Sequence, residues 1–194
     1  DGDFFLMHDE DLIRTTNIQG KISNTPSDII KNSFLKHGNG DDNLLSNENI
    51  PTLIEVLDKF QGSVLFDIDV KNKLDRKFLL SLIHEHDFHH YVDIKKPLET
   101  LGDAKKYIKE ENKSNVINMI VLNLTNQSLD EIYQIVDLTN PQIVEINFCD
   151  ISIFEQVNDF CLKKDCAVWV NTLNDVPNGG FNDKLALNSP DECW

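Results

Sequence analysis

A (β/α)₈-type barrel is the fold class predicted by two features of this 194-residue chain. Apolar strand-like runs alternate with helical patterns along nearly its whole length. That alternation implies a mostly parallel sheet with right-handed crossovers. The strands are also two-faced. In 64–71, Phe66, Ile68 and Val70 oppose Asp67, Asp69 and Lys71; in 91–95, Val92 and Ile94 oppose Tyr91, Asp93 and Lys95. Ile146 and Phe148 likewise oppose Glu145 and Asn147, and Val168 and Val170 oppose Trp169 and Asn171. A doubly wound sheet buries both faces and reads as continuous apolar runs. A barrel turns one apolar face to its helices and gathers polar groups at the C-terminal strand ends, where its active sites lie.

The elements follow in order. Strands are expected at 4–8, 64–70, 89–95, 117–124, 142–148 and 167–172. Helices are expected at 51–60, 74–86, 98–111, 128–138, 151–164 and 183–187. Pro51 and Pro97 suit first helical turns, and Ser128-Leu-Asp-Glu131 has the form of a capping box. Segment 36–49, rich in Gly, Asn and Asp, reads as a surface loop. His84, His86, His89 and His90 cluster at the end of a helical pattern and before a strand. That places them at the N-terminal face of a barrel, as a solvated turn rather than a metal site.

Composition narrows the class. Hydrophobic residues make up 40% of the chain, enough for a sizeable core, and no apolar run approaches the roughly 18 residues that span a membrane. A net charge of −15 argues against nucleic acid as a main partner and suits a surface that gathers cations. The four cysteines show no Cys-x-x-Cys spacing, so neither a zinc site nor a redox motif is signalled. The apolar neighbours of Cys149 and Cys161 predict buried thiols.

Asp1-Gly-Asp-Phe-Phe-Leu-Met-His8-Asp9, followed by Leu12-Ile-Arg14-Thr15-Thr16, places a histidine at the rim of a sheet, where it can exchange a proton. This run resembles the second-histidine segment of glycerophosphodiester phosphodiesterases. Ile50-Pro-Thr-Leu-Ile-Glu-Val-Leu57, Leu65-Phe-Asp-Ile-Asp-Val-Lys71 and Val168-Trp-Val-Asn-Thr172 resemble, in order, three later segments of that family. Asp69 stands where the family usually has glutamate. The resemblance implies a barrel of which residues 1–194 form a partial domain, the first two strands and the last strand lying outside it. A complete barrel takes about 250 residues.

The resemblance also implies chemistry. The expected reaction is metal-dependent hydrolysis of a small glycerophosphodiester to glycerol 3-phosphate and an alcohol. Ca²⁺ or Mg²⁺ suits an oxygen-only ligand shell. His8 takes the position of the general acid, Asp69 that of a metal-binding carboxylate, and Lys71 that of a phosphate-binding cation. Trp169 forms a substrate wall, with Lys95 and Glu145 as further pocket residues. No membrane insertion is expected. Many members with this type of sequence are exported from bacterial cells, which implies an extracytoplasmic location. Two alternatives stay open: a related phosphatidylinositol phospholipase-like enzyme, and a non-catalytic barrel that binds sugar phosphates or glycans.

Overall fold

The computed structural model describes residues 2–38, 40, 43–70, 73–110, 116–173 and 176–188. The chain forms two compact units, Asp1–Val64 and Leu65–Trp194.

The first unit contains α1 (Ser27–Lys31), β1 (Phe34–Lys36), β2 (Leu45–Asn49) and α2 (Leu53–Phe60). β1 and β2 pair antiparallel, with Phe34 opposite Asn49 and Lys36 opposite Leu45. Segment 36–49 is therefore partly hairpin rather than loop. Most β2 side chains are exposed, so its backbone ladder holds it in place, and such a strand leaves no apolar alternation in the sequence. Segment 4–8 is not a strand either. Phe5 makes one isolated antiparallel bridge to Thr52, and pairing cannot propagate because α2 begins at the next residue. Thr52 caps that helix with a complete capping box. Its hydroxyl accepts from Glu55 N–H at 3.3 Å, and the Glu55 carboxylate accepts from Thr52 N–H at 2.8 Å. Pro51 thus precedes the cap instead of opening the helix. Leu12, Ile30 and Ile50 form a small core, bordered by Phe5, Met7, Ile18, Ile22 and Leu35.

The second unit contains β3 (Phe66–Ile68), α3 (Lys73–Glu85), β4 (Val92–Ile94), β5 (Lys96–Pro97), α4 (Leu101–Glu110), β6 (Met119–Asn123), α5 (Leu129–Thr139), β7 (Ile143–Asn147), α6 (Ile151–Leu162), β8 (Ala167–Trp169) and α7 (Asp183–Asn188). All its strand pairs are parallel: β3 with β4, β5 with β6, β6 with β7, and β7 with β8. A single bridge from Asp93 to Ile117 carries the sheet across from β4. Strands adjacent in sequence are adjacent in space, without the reversal of order that marks a doubly wound sheet. The architecture is an incomplete (β/α) barrel, and among the described residues the sheet does not close on itself.

The period-two pattern explains the packing. Ile120, Leu122 and Leu124 on one side of β6, and Val144, Ile146 and Phe148 on the same side of β7, join Ala104, Tyr107, Ile132, Ile135, Val136 and Val157 of the helices in one core. The opposite face carries Val121, Asn123, Glu145, Asn147 and Trp169, with Val121 opposite Glu145, Glu145 opposite Trp169, and Asn123 opposite Asn147. Pro97 lies in β5, three residues short of the Thr100 hydroxyl that accepts from Asp103 N–H at 3.1 Å. Ser128 caps α5, but Glu131 accepts from Leu101 N–H instead of completing the box.

Helices α3, α5 and α6 end on left-handed Asp87, Asn140 and Asp165, a conformation that short Asp and Asn side chains tolerate. After α3 and α6 the same turn forms. Phe88 N–H reaches Ile83 O at 2.9 Å and Cys166 N–H reaches Cys161 O at 3.0 Å, each pair bringing two buried side chains together. Cys161 is buried as expected, whereas Cys149 is exposed, because it lies just beyond β7 where the core face ends. In the histidine turn, Phe88 is buried and His89 sits 3.2 Å from Asp87, so that turn is anchored rather than wholly solvated. Among the described residues no helix is long and apolar enough to cross a membrane.

Candidate functional site

The polar face of the parallel sheet converges on Lys95. Its ammonium lies 2.7 Å from Asp67 Oδ2 and 2.9 Å from Glu145 Oε2, and 5.5 Å from the centre of the Trp169 ring. Lys95 falls at a break between β4 and β5. The Arg76 guanidinium, in the first turn of α3, donates to Lys95 O at 2.9 Å and to Ile94 O at 3.2 Å, satisfying carbonyls that the break takes out of the ladder. Burial works against the Lys95 charge, but the hydrogen bonds and charges of Asp67 and Glu145 outweigh it and hold the ammonium above the ordinary lysine value.

Asp93 faces Asp67 across the β3–β4 register and is 5% exposed. Burial pushes its carboxyl up to about 7, helped by the neighbouring Asp67 carboxyl, while Lys95 pulls the other way. The arrangement is one ammonium among three carboxyl groups, one of which gains a proton near neutrality. Such perturbed groups at C-terminal strand ends mark a functional site in a barrel.

The two ends of this sheet treat their buried polar groups differently. At the N-terminal end, Asn118 is fully partnered: its amide accepts from Tyr107 Oη at 2.6 Å and donates to Thr139 O at 3.0 Å, and its N–H donates to Gln142 Oε1 at 2.8 Å. At the C-terminal end, Asp93 Oδ1 and Asn147 Oδ1 are buried with no hydrogen-bond partner among the described residues. Glu145 Oε2 is buried against the Lys95 ammonium at 2.9 Å.

In the first unit, His8 belongs to a second constellation. Its Nδ1 lies 2.8 Å from Asp9 Oδ1, and Arg14 grips Asp9 with Nε at 2.5 Å and Nη2 at 2.9 Å. The Arg14 hydrogen bonds, then that of His8, hold the Asp9 carboxyl well below the usual range. A carboxylate that accepts from Nδ1–H leaves Nε2 as the outward nitrogen, and 83% of the His8 side chain is exposed. Gly40 packs on the Arg14 backbone, where an added Cβ would fall 1.9 Å from Arg14 O.

The structure thus brings Lys95, Glu145 and Trp169 together. Asp69 is exposed one residue beyond β3, Lys71 lies outside the described residues, and His8 belongs to the other unit. Sequence reading passed over Asp93 and Asn147 as site residues and gave Asp9 and Arg14 no role. Alternation did place Asp93 and Asn147 on the polar face, but their pairing needs the strand register. Among the described residues no group of three or more His, Cys, Asp or Glu side chains is arranged to hold a metal ion.

Comparison with known proteins agrees with this architecture. The family model described as the glycerophosphoryl diester phosphodiesterase family matches residues 1–145. A second model, a domain of unknown function, matches residues 118–194. No curated protein matches the chain. Among solved structures, a glycerophosphoryl diester phosphodiesterase from Parabacteroides distasonis aligns at 18% identity and a TM-score of 0.52, covering 86% of this chain and 66% of that one. A glycerophosphodiester phosphodiesterase from Agrobacterium tumefaciens aligns at 16% identity and 0.62, covering 88% and 69%. A phosphodiesterase from Oleispira antarctica, solved with the product sn-glycerol-3-phosphate, aligns at 18% identity and 0.60, covering 98% and 73%. The chain therefore spans roughly two thirds to three quarters of these relatives.

Proposed function

The chain belongs to the glycerophosphoryl diester phosphodiesterase family, and we propose that it takes part in hydrolysing glycerophosphodiesters to glycerol 3-phosphate and an alcohol. The observation that carries this reading is the His8–Asp9–Arg14 arrangement. As a phosphodiester is hydrolysed, the bond from phosphorus to the alcohol oxygen breaks and the departing alkoxide must gain a proton, and a histidine whose outward nitrogen is fixed by a carboxylate is equipped to deliver it. His8 acts as that general acid. Asp9 sets its tautomer, and Arg14 keeps Asp9 ionised and in place.

Lys71 and Lys95 supply positive charge to the phosphate. Lys95 has three donors, and two face Asp67 and Glu145. Trp169 walls the substrate. Asp69 is a hard oxygen donor suited to Ca²⁺ or Mg²⁺, ions that take six or more oxygens, so other ligands would complete the shell. With such an ion bound, charge on the non-bridging phosphate oxygens would be neutralised.

Hydrolysis of glycerophosphocholine by the full protein tests the proposal. His8→Ala should lower turnover by about 10²-fold or more with little change in melting temperature, since the side chain is exposed. Turnover within a factor of about three of the parent, well short of what a general acid supplies, would remove His8 from the mechanism. Asp69→Asn should raise the Ca²⁺ or Mg²⁺ concentration needed for activity, whereas Asp69→Glu should preserve or improve it. Matching calorimetric affinities for the metal in parent and Asn variant would sink the ligand assignment.

A further inference from the structure

Buried acceptors are almost always satisfied, and leaving one without a donor costs roughly 1–3 kcal/mol. Among the described residues of the second unit, most buried side-chain atoms without a hydrogen-bond partner lie on the polar face of the sheet; the exception, His89 Nδ1 in the turn before β4, lies 3.2 Å from the Asp87 carboxylate. Asn118, at the N-terminal end of β6, has its amide oxygen and nitrogen both engaged. Asn147, at the C-terminal end of the adjacent strand β7, has a buried Oδ1 with no partner among the described residues. Asp93 Oδ1 is in the same state, and Glu145, 6% exposed, has its Oε2 buried against the Lys95 ammonium at 2.9 Å. All three lie on the polar face of the sheet, and Trp169, 46% exposed, stands in register beside Glu145.

We propose that the Glu145–Asn147–Trp169 end of this face is a subsite for a polyhydroxylated alcohol, such as a cyclic polyol, carried as the leaving group of the phosphodiester. The inference rests on the phosphodiesterase reading above. The chemistry that completes unpaired acceptors is a ligand rich in donors. Hydroxyls supply donors without charge, whereas a cationic headgroup would meet the Lys95 ammonium already held between Asp67 and Glu145. A quaternary ammonium has no N–H to give. The half-exposed Trp169 ring offers an apolar platform for the C–H face of such an alcohol, and a few polar groups set around an apolar wall are the usual means of fixing a small ligand.

The test compares glycerophosphoinositol with glycerophosphocholine in the full protein, together with calorimetric titration of free myo-inositol. The parent should favour the inositol diester in kcat/KM by about 10-fold or more, and Asn147→Leu should cut that preference by about 10-fold, the size expected when one well-placed hydrogen bond to a substrate hydroxyl is lost. Turnover of the choline diester should fall less than that of the inositol diester, because esterified choline has no free hydroxyl to offer Asn147. Asn147→Asp, which keeps an acceptor there, should retain most of the preference even if the Leu variant folds poorly. Equal kcat/KM for the two diesters, an unchanged ratio in Asn147→Leu, or inositol binding that does not depend on Asn147 would overturn the subsite. In those cases the acceptor is met by water. Loss of turnover on both diesters in the parent would instead break the phosphodiesterase reading, and the titration would still report on the subsite.

Discussion

Two asparagines on neighbouring strands of one sheet show how differently its ends are built. Asn118 sits where β6 begins and ties together α4, α5 and the start of β7 through Tyr107, Thr139 and Gln142. Asn147 sits where β7 ends and keeps a buried acceptor unmatched among the described residues. Asn118 precedes the apolar run Met119–Leu122 and Asn147 closes the alternating run Ile143–Ile146, but neither context shows whether the amide will be partnered. The difference teaches that the N-terminal end of the sheet carries polar groups for stability, and the C-terminal end carries them at a cost that function must justify.

The largest test of this contrast is Lys95→Met. Removing the ammonium leaves Asp67 and Glu145 with no counter-charge; Glu145 is buried while Lys95 and Asp67 are partly exposed, so the loss should lie at the low end for a buried pair, about 3 kcal/mol. Denaturant unfolding should show that loss. A destabilisation below about 1 kcal/mol, the range of exposed pairs, would mean that the cluster is solvated like a surface one.

Asn118→Ala comes next. It removes the hydrogen bonds that Asn118 makes with Tyr107 Oη and Thr139 O in the core, so stability should fall by about 2–3 kcal/mol. Activity per folded molecule should not change. A clear drop in kcat with no loss of stability would erase the distinction between the two ends.

Asp93 sharpens the comparison through pH. Its folded value, about 7, lies above the ordinary 3.8, so between these values the native state binds the extra proton. Stability from this group is fully present below about pH 4 and is lost as pH rises through about 7. Asp93→Asn should remove that slope and leave the variant more stable than the parent at pH 8, by on the order of 2 kcal/mol. Asp9 in the first unit has the opposite sign. Its carboxyl is depressed, so its contribution is present above the ordinary carboxylate range and is lost as pH falls below it. Parallel stability curves for parent and Asp93→Asn across pH 4–8, the window set by the Asp93 values, would contradict the burial of Asp93.

The smallest expected effect belongs to Asn147→Leu. Replacing the half-buried Asn147, whose Oδ1 has no partner among the described residues, by an apolar group of similar size should be neutral or stabilising, within about 1 kcal/mol. A loss comparable to that of Asn118→Ala would show that Asn147 already has its partners and that the two ends are alike.

The parallel barrel architecture was legible in the sequence because its signals are local. Alternation in 64–71 and 143–148 needs only neighbouring residues to divide core from polar face, and the helices of the second unit were placed to within about three residues by their own periodicity. The motif around His8 likewise identified its segment without any fold. Where alternation was weak the reading failed: exposed β2 looked like a loop, and 4–8 looked like a strand although α2 cuts its pairing short. What only the tertiary structure decided was partnership. That Asp67 faces Asp93, that Lys95 stands between Asp67 and Glu145, and that Asn118 is satisfied while Asn147 is not all depend on strand register and on loops folding back over a sheet. These are interactions between residues 21 to 50 positions apart, set by the geometry of parallel crossovers, and a single chain of letters carries no trace of which distant side chain will arrive opposite another.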